Sequence, residues 1–86
     1  MNVQALVARN LRRLRVQKLV SQEDLAIDAG IDRTYVSRME RGLENPTVLV
    51  LEKLANALET DIVEFFVKPK PGEPPPKPLP GGRRSA

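Results

Sequence analysis

The chain has 86 residues and no cysteine, which allows one small domain and excludes both a disulfide framework and a thiolate metal site. No apolar run is long enough to span a membrane, and the first residues lack the apolar block of a signal peptide, so we expect a cytoplasmic protein without membrane contact. The net charge of +3 is unevenly spread: residues 1–41 hold eight Lys/Arg and five Asp/Glu, whereas residues 42–67 hold one Lys and five acids. This asymmetry could aim one face at a polyanion.

Residues 1–17 are predicted to form the first helix. Their apolar residues recur with helical spacing on one face, at Val3, Val7, Leu11 and Leu14. The arginines of this helix lie off that stripe. A solvated basic face is the usual outcome for such side chains, whereas contact with phosphate by Arg9, Arg12 or Arg13 is the functional alternative.

Residues 21–42 are predicted to form two short helices joined by a tight turn around Gly30. Ser21 is a good N-cap for the first of these helices, because its hydroxyl can accept a hydrogen bond from a free backbone N–H group. Gly30 stands where that helix must stop, since glycine adopts the left-handed conformation at little steric cost. Asp32 then caps the next helix, which covers residues 33–41.

The outer face of the helix at residues 33–41 is polar and cationic. Its candidate base-reading residues are Arg33, Thr34, Tyr35, Ser37 and Arg38. Arg33 can donate two hydrogen bonds to guanine, whereas Tyr35 could contact the sugar–phosphate edge or simply cover the helix surface. Each of these polar residues taken alone is more often mere surface. Together on one short helix after a glycine turn, they complete a helix-turn-helix pattern and favour reading of the DNA major groove.

A loop follows, because Gly42 ends the helix and Pro46 prevents its continuation. Glu44 suits a DNA contact poorly, since phosphates repel a carboxylate unless it turns away or accepts a hydrogen bond from a base. Two further helices are predicted, the first capped by Thr47 and the second, a short one, capped by Asp61. The first has the apolar stripe Leu51, Leu54, Ala55 and Leu58, and the second places inward or at an interface Ile62, Phe65 and Phe66.

Several of these residues together resemble a known family. The residues that carry the resemblance are Gln22, Asp24, Leu25, Ala26, Gly30, residues 36–42, Asn45, Pro46, Leu51, Leu54, Ala55 and Leu58. Over about residues 5–66 the chain resembles the Cro/cI-type (xenobiotic-response-element-like) DNA-binding domains. Within this stretch, residues 32–37 are most similar to the controller proteins of restriction–modification systems. The resemblance implies an all-α, compact five-helix lambda-repressor-like domain over residues 1–67 that binds DNA and regulates transcription.

The resemblance also implies roles for individual residues. Arg15 is expected to form a structural ion pair with Glu40 rather than to contact DNA, because an acid so close to DNA needs a cationic partner. Gln22 lies in the first turn of its helix, where free N–H groups favour a phosphate, although a capping residue without a ligand is the alternative. Asn45 resembles a loop position that meets the DNA backbone. The full set of expected phosphate contacts is Gln22, Arg12, Arg13, Arg41 and Asn45.

The last two helices contain more apolar residues than a core of this size can easily hide. The expected exposed patch, which we assign to a dimer interface, comprises Leu49, Val50, Val63 and Phe66. Because operators read by this kind of domain are commonly twofold, we expect a homodimer built from these helices, with half-sites about 34 Å apart. The alternative is that these residues complete a small core.

Residues 68–86 form a Pro-rich, basic tail that holds seven of the eight prolines. We expect it to be extended or disordered, with Pro-x-x-Pro spacings that could dock on a partner protein. The function indicated is a sequence-specific transcription regulator that binds double-stranded DNA as a dimer. An antitoxin-like or other protein-interaction module with the same fold is the alternative. Without histidine, cysteine or a phosphate-binding glycine loop, no enzyme activity, cofactor or metal is expected.

Overall fold

A computed structural model describes residues 2–78 of the protein, which form four α-helices and one short 3-10 helix, with no β-strand in that range. The elements are α1 (Val3–Gln17), α2 (Gln22–Ala29), α3 (Arg33–Glu40), α4 (Val48–Ala57) and the 3-10 helix (Ile62–Phe66). The predicted all-α class is confirmed, but the last element is not a fifth α-helix. It has only five residues, and the tighter 3-10 hydrogen-bond pattern suits such short pieces.

Each helix is preceded by a residue whose side-chain oxygen accepts a hydrogen bond from a backbone N–H group in the first turn. These caps are Asn2, Ser21, Asp32, Thr47 and Asp61. The sequence predicts all of them except Asn2, whose Oδ1 accepts from the N–H of Ala5 at 2.7 Å, so that α1 begins at Val3. Each such cap contributes about 1 kcal/mol to stability. The helix boundaries are therefore set largely by local sequence.

Residues in the left-handed conformation stand at the ends of all four α-helices. Gly30 (φ +70°) ends α2, and Gly42 (φ +74°) follows α3, as the positions of these glycines predict. By contrast, α1 and α4 are followed by Leu19 (φ +58°) and Glu59 (φ +53°), whose side chains incur a steric cost of about 1–2 kcal/mol in this conformation. The turn at Gly30 sends the chain sharply from α2 into α3.

The core lies between α1, which packs against α3 and the 3-10 helix, and α2, which packs against α3 and α4. Its buried apolar residues are Val7, Leu11, Leu14, Leu25, Ala26, Val36, Met39, Leu51, Leu54, Ala55, Leu58 and Phe65. Asn10 on α1 is also buried, and its Nδ2 donates to the carbonyl oxygens of Phe65 and Val67 at 2.8 Å each. Asn10 therefore fastens the 3-10 helix to α1, a role that no sequence pattern indicates.

The Pro-rich tail has no helix or strand over residues 68–78, in agreement with its composition, while residues 79–86 lie outside the described range. Part of the tail nevertheless contacts the domain. The Nη2 of Arg9 on α1 donates to Oε2 of Glu73 at 3.1 Å and to the carbonyl oxygen of Pro74 at 3.0 Å. The beginning of the tail is thus docked on α1.

Docking of the tail on α1 is expected to weaken in acid. The backbone N–H of Lys70 binds the Glu73 carboxylate, as does the Arg9 guanidinium, and together they hold the pKa of Glu73 below its ordinary value of 4.5. A carboxylate with a lowered pKa stabilises the docked state above its ordinary pKa, and this contribution is lost as the pH falls through the lowered pKa. Amide NMR signals of Lys70, Gly72 and Glu73 should therefore shift as the pH is lowered below 4.5.

Two variants separate this effect from general acid sensitivity. Glu73→Gln should shift the same NMR signals already at neutral pH, because the neutral side chain of glutamine cannot replace the negative charge that Arg9 binds. Glu52→Gln, which removes an exposed acid on α4, should leave them unchanged. Unshifted tail signals in Glu73→Gln at neutral pH would contradict the docking.

Candidate nucleic-acid interface

The helix α3 has an apolar inner face and a polar outer face. Val36 and Met39 are buried in the core, whereas Arg33 and Thr34 are exposed and Ser37 is partly exposed. The three polar residues line one open depression on the surface. Three of the five predicted base-reading side chains thus share one accessible surface.

The other two predicted base-reading residues have partners within the protein. Tyr35 packs partly against the core, and this burial, with a smaller contribution from the negative charge of Glu44, raises the pKa of the Tyr35 hydroxyl. Arg38 donates from Nε to Oε2 of Glu44 at 2.7 Å and from Nη2 to the carbonyl oxygen of Leu43 at 3.3 Å. The Arg38 side chain nevertheless remains 43% exposed.

A buried carboxylate joins the helices behind this face. The Glu40 side chain has no exposed surface, and Arg15 binds it through Nε to Oε2 at 2.6 Å and through Nη2 to Oε1 at 3.0 Å. The Nη1 of Arg15 also donates to the carbonyl oxygen of Val20 at 2.9 Å. Arg15 and Glu40 thus form a bidentate, buried ion pair that ties α1 to α3.

Two of the residues expected at phosphates also bind Glu40. The Nε of Arg12 donates to Oε1 of Glu40 at 3.3 Å, and the Nε2 of Gln22 donates to the same oxygen at 3.2 Å. Arg12 keeps 35% of its side chain exposed, and within residues 2–78 its two terminal nitrogens have no hydrogen-bond partner. The Glu40 carboxylate therefore holds the N-terminus of α2 against α3 while Arg12 can still reach outward.

The remaining expected phosphate contacts do not all lie together. Arg41 and Asn45 are exposed in the loop that follows α3. Arg13 instead donates from Nη2 to the carbonyl oxygen and to Oε1 of Glu64 on the 3-10 helix, at 2.9 and 3.2 Å, and from Nε to Oδ1 of Asn10 at 3.0 Å. Acceptors on the 3-10 helix and α1 engage the Arg13 guanidinium, so Arg13 is turned toward the 3-10 helix, whereas Arg12 and Gln22 bind Glu40.

The loop after α3 is fastened by a residue that sequence reasoning misses. Gln4 on α1 donates from Nε2 to the carbonyl oxygens of Gly42 and Glu44, at 3.0 and 2.7 Å. The N–H of Leu43 donates to the carbonyl oxygen of Arg38 at 2.9 Å and closes the end of α3. No local signal marks Gln4, because its partners are backbone atoms 38 and 40 residues away.

Apolar side chains are exposed on α4 and on the 3-10 helix, which pack against each other. Leu49, Val63 and Phe66 expose 59%, 60% and 42% of their surface. Val50, which the sequence analysis places in the same patch, packs partly against the core instead. The reason is that it lies four residues before the buried Leu54, on the same face of α4.

The outer face of α3 offers guanidinium and hydroxyl groups, which are hydrogen-bond donors for base edges and phosphates. Among the described residues, no helix combines the length and the apolar character of a transmembrane segment. In the same part of the chain, acidic side chains form no group of three or more that could hold a metal ion.

The chain belongs to the helix-turn-helix family, whose sequence profile matches residues 11–65. It is 42% identical over 65 residues to y4dJ, an uncharacterised HTH-type transcriptional regulator of Sinorhizobium fredii, with 76% of this chain and 84% of the relative covered. The structure of the restriction-modification controller protein C.AhdI from Aeromonas hydrophila matches with a TM-score of 0.71 and 41% identity, over 73% of this chain and 96% of that chain. The resemblance to Cro/cI-type domains and controller proteins is confirmed.

A second controller protein, C.Esp1396I, is known as a tetramer in complex with its natural 35 base-pair operator. It matches with a TM-score of 0.71 and 36% identity, over 77% of this chain and 87% of that chain. The similarity thus extends to a protein whose structure has been solved on its DNA.

Proposed function

We propose that this protein is a cytoplasmic, sequence-specific DNA-binding regulator of transcription that places α3 in the major groove. The observation that carries the proposal is the outer face of α3, where Arg33, Thr34 and Ser37 share one open surface while Val36 and Met39 are buried behind it. The major groove is about 12 Å wide and admits one α-helix. Membership of the helix-turn-helix family and the operator complex of a relative support this assignment.

Base contacts are assigned to the side chains of α3. Arg33, at the N-terminal end of the helix, can donate two hydrogen bonds to guanine O6 and N7. Thr34 offers a hydroxyl group and a methyl group, which suit a thymine methyl or a phosphate. We assign Tyr35 to the sugar–phosphate edge. Ser37 and Arg38 complete the proposed DNA-binding face of α3. These contacts provide discrimination between base pairs.

Phosphate contacts fix the register of the protein on DNA and carry much of its affinity. We assign them to Arg12, Gln22, Arg41 and Asn45. The Glu40 carboxylate supports this set, because it binds the first two and so holds them in a constant relation to α3. Arg13 is left out, since Glu64 engages its guanidinium.

We also infer that the protein acts as a homodimer on a twofold operator. The exposed apolar residues Leu49, Val63 and Phe66 support a self-complementary interface on α4 and the 3-10 helix. A twofold dimer places two copies of α3 in successive major grooves, about 34 Å apart.

Replacing Leu49 with glutamate should weaken self-association by at least about tenfold, because a leucine buried in an interface contributes about 1.5–3 kcal/mol and a charge there repels its copy. Sedimentation velocity measures the effect. The matched control is Ile27→Glu, which changes an apolar side chain on α2 that is 71% exposed. A Leu49→Glu variant that stays folded and dimeric would remove this interface from consideration.

In vitro selection from a random pool of duplex DNA at physiological salt tests the function as a whole. We expect enrichment of one motif with twofold symmetry, with half-sites separated by about one helical turn. A pool that shows no enrichment after repeated rounds would overturn the proposed function.

A further inference from the structure

An acidic residue stands beside the face of α3 that we assign to DNA. The Oε2 of Glu44 accepts a charge-assisted hydrogen bond from Nε of Arg38 at 2.7 Å, and the Glu44 side chain is only 27% exposed. Its negative charge also contributes to the raised pKa of Tyr35. Glu44 is therefore turned toward two of the assigned base-reading residues rather than into solvent.

The loop holds Glu44 firmly in this position. Gln4 binds the carbonyl oxygens of Gly42 and Glu44, and Nη2 of Arg38 binds the carbonyl oxygen of Leu43. Gln4 thus holds the backbone of Glu44, and Arg38 is held by both the Glu44 carboxylate and the Leu43 carbonyl oxygen. A side chain fixed in this way loses little conformational freedom when a ligand binds.

The charge of Glu44 works against binding to any stretch of phosphates, because like charges repel. Glu44 binds Nε of Arg38 and the carbonyl oxygen of Leu43 binds Nη2, so that Nη1 and the second N–H of Nη2 have no acceptor among residues 2–78, on a side chain that is 43% exposed. A guanidinium edge with two donors matches guanine O6 and N7, whereas a guanidinium free to swing would also reach phosphates of any sequence.

We propose that Glu44 is a specificity-determining residue, which holds Arg38 for a guanine edge and weakens binding to every other DNA sequence. This inference rests on the proposed function, since it assigns a role within the same interface. Glu44 is expected to change the ratio of the affinities for the operator and for other DNA. Its main effect is to weaken binding to sequences other than the operator.

The test compares the wild-type protein with Glu44→Gln on two duplexes of equal length, the selected operator and a scrambled version, by fluorescence anisotropy at several salt concentrations. We expect Glu44→Gln to bind the scrambled duplex more tightly and the operator about as well, because on the operator the loss of charge repulsion is offset by the loss of the fixed Arg38 contact. The ratio of the two affinities should fall by about tenfold, which corresponds to lost discrimination at about one base pair. Repeated selection with Glu44→Gln should show a relaxed preference at one position of each half-site.

Two control variants test whether the change in the ratio of affinities is specific to the contact between Glu44 and Arg38. Glu52→Gln removes the same charge from an exposed position on α4 and should leave the ratio of affinities unchanged. In an Arg38→Met background, Glu44→Gln should no longer relax any base position, because Glu44 acts through Arg38. Thermal unfolding of each variant verifies that the fold is intact.

Equal changes in affinity for both duplexes, or no change for either, would overturn the role of Glu44 while leaving the proposed function standing. A further relaxation by Glu44→Gln in the Arg38→Met background would do the same, since Glu44 would then act without Arg38. Failure of the wild-type protein to distinguish the two duplexes would instead overturn the proposed function.

Discussion

Glu40→Ala is expected to lower the free energy of unfolding by about 3–5 kcal/mol, the largest effect of any substitution considered for this protein. The Glu40 side chain has no exposed surface, and its partner Arg15 is only 6% exposed. Removal of the carboxylate leaves the Arg15 guanidinium buried without a counter-charge, which costs far more than the loss of a surface ion pair. For a domain with a stability of about 5–15 kcal/mol, this is a large share of the total.

Chemical denaturation followed by circular dichroism measures the change. Glu64→Ala is the matched control, because Glu64 also pairs with an arginine but is 42% exposed, and we expect its loss to cost less than about 1 kcal/mol. The double replacement Arg15→Met with Glu40→Leu should recover most of the loss, since apolar side chains can replace a buried ion pair. Equal costs for Glu40→Ala and Glu64→Ala would show that the buried pair has no special role.

Arg33→Ala is expected to weaken binding to the selected operator by about 1–3 kcal/mol and to relax the preference at one base position. Arg33 is exposed at the first position of α3 and has no hydrogen-bond partner among residues 2–78, so its loss should leave the fold unchanged. The affinity change is measured by fluorescence anisotropy, and the base preference by repeated selection.

Arg41→Ala provides the contrast, because Arg41 is assigned to a phosphate. It should weaken binding to all sequences by a similar factor and reduce the salt dependence of the affinity by about one phosphate contact. If Arg33→Ala shows this uniform behaviour and every base preference is retained, then Arg33 binds a phosphate and not a base.

The helices and their turns were predictable because the signals that define them are local. Ser21, Asp32 and Thr47 accept hydrogen bonds from N–H groups two or three residues away, and Gly30 supplies a backbone conformation that its own lack of a side chain permits. The last short helix was predictable from such signals too, but its 3-10 type was not. An Asp cap followed by apolar residues predicts a helix but does not distinguish its type in a segment of five residues.

The partners of the polar side chains were predicted less well. Arg12, Arg13 and Arg38 look alike in the sequence, as arginines off an apolar stripe, yet they bind three different acids. Arg13 in particular binds an acid 51 residues away, which helical periodicity cannot reveal. Gln4 and Asn10 carry no sequence signal at all, because their partners are backbone carbonyl groups on distant segments.

The sequence by itself determined the helical class, the cap at the start of α3 and the glycine turn that sets α3 after α2, because each depends on hydrogen bonds and steric limits within a few residues. The family resemblance indicated that Arg15 pairs with Glu40, and only the tertiary structure decided the other polar contacts. It brought Arg12 and Gln22 to the same buried carboxylate, and it turned Glu44 toward Arg38. The physical reason is that a charged side chain finds its partner through space, and its position in space follows from the packing of the whole chain.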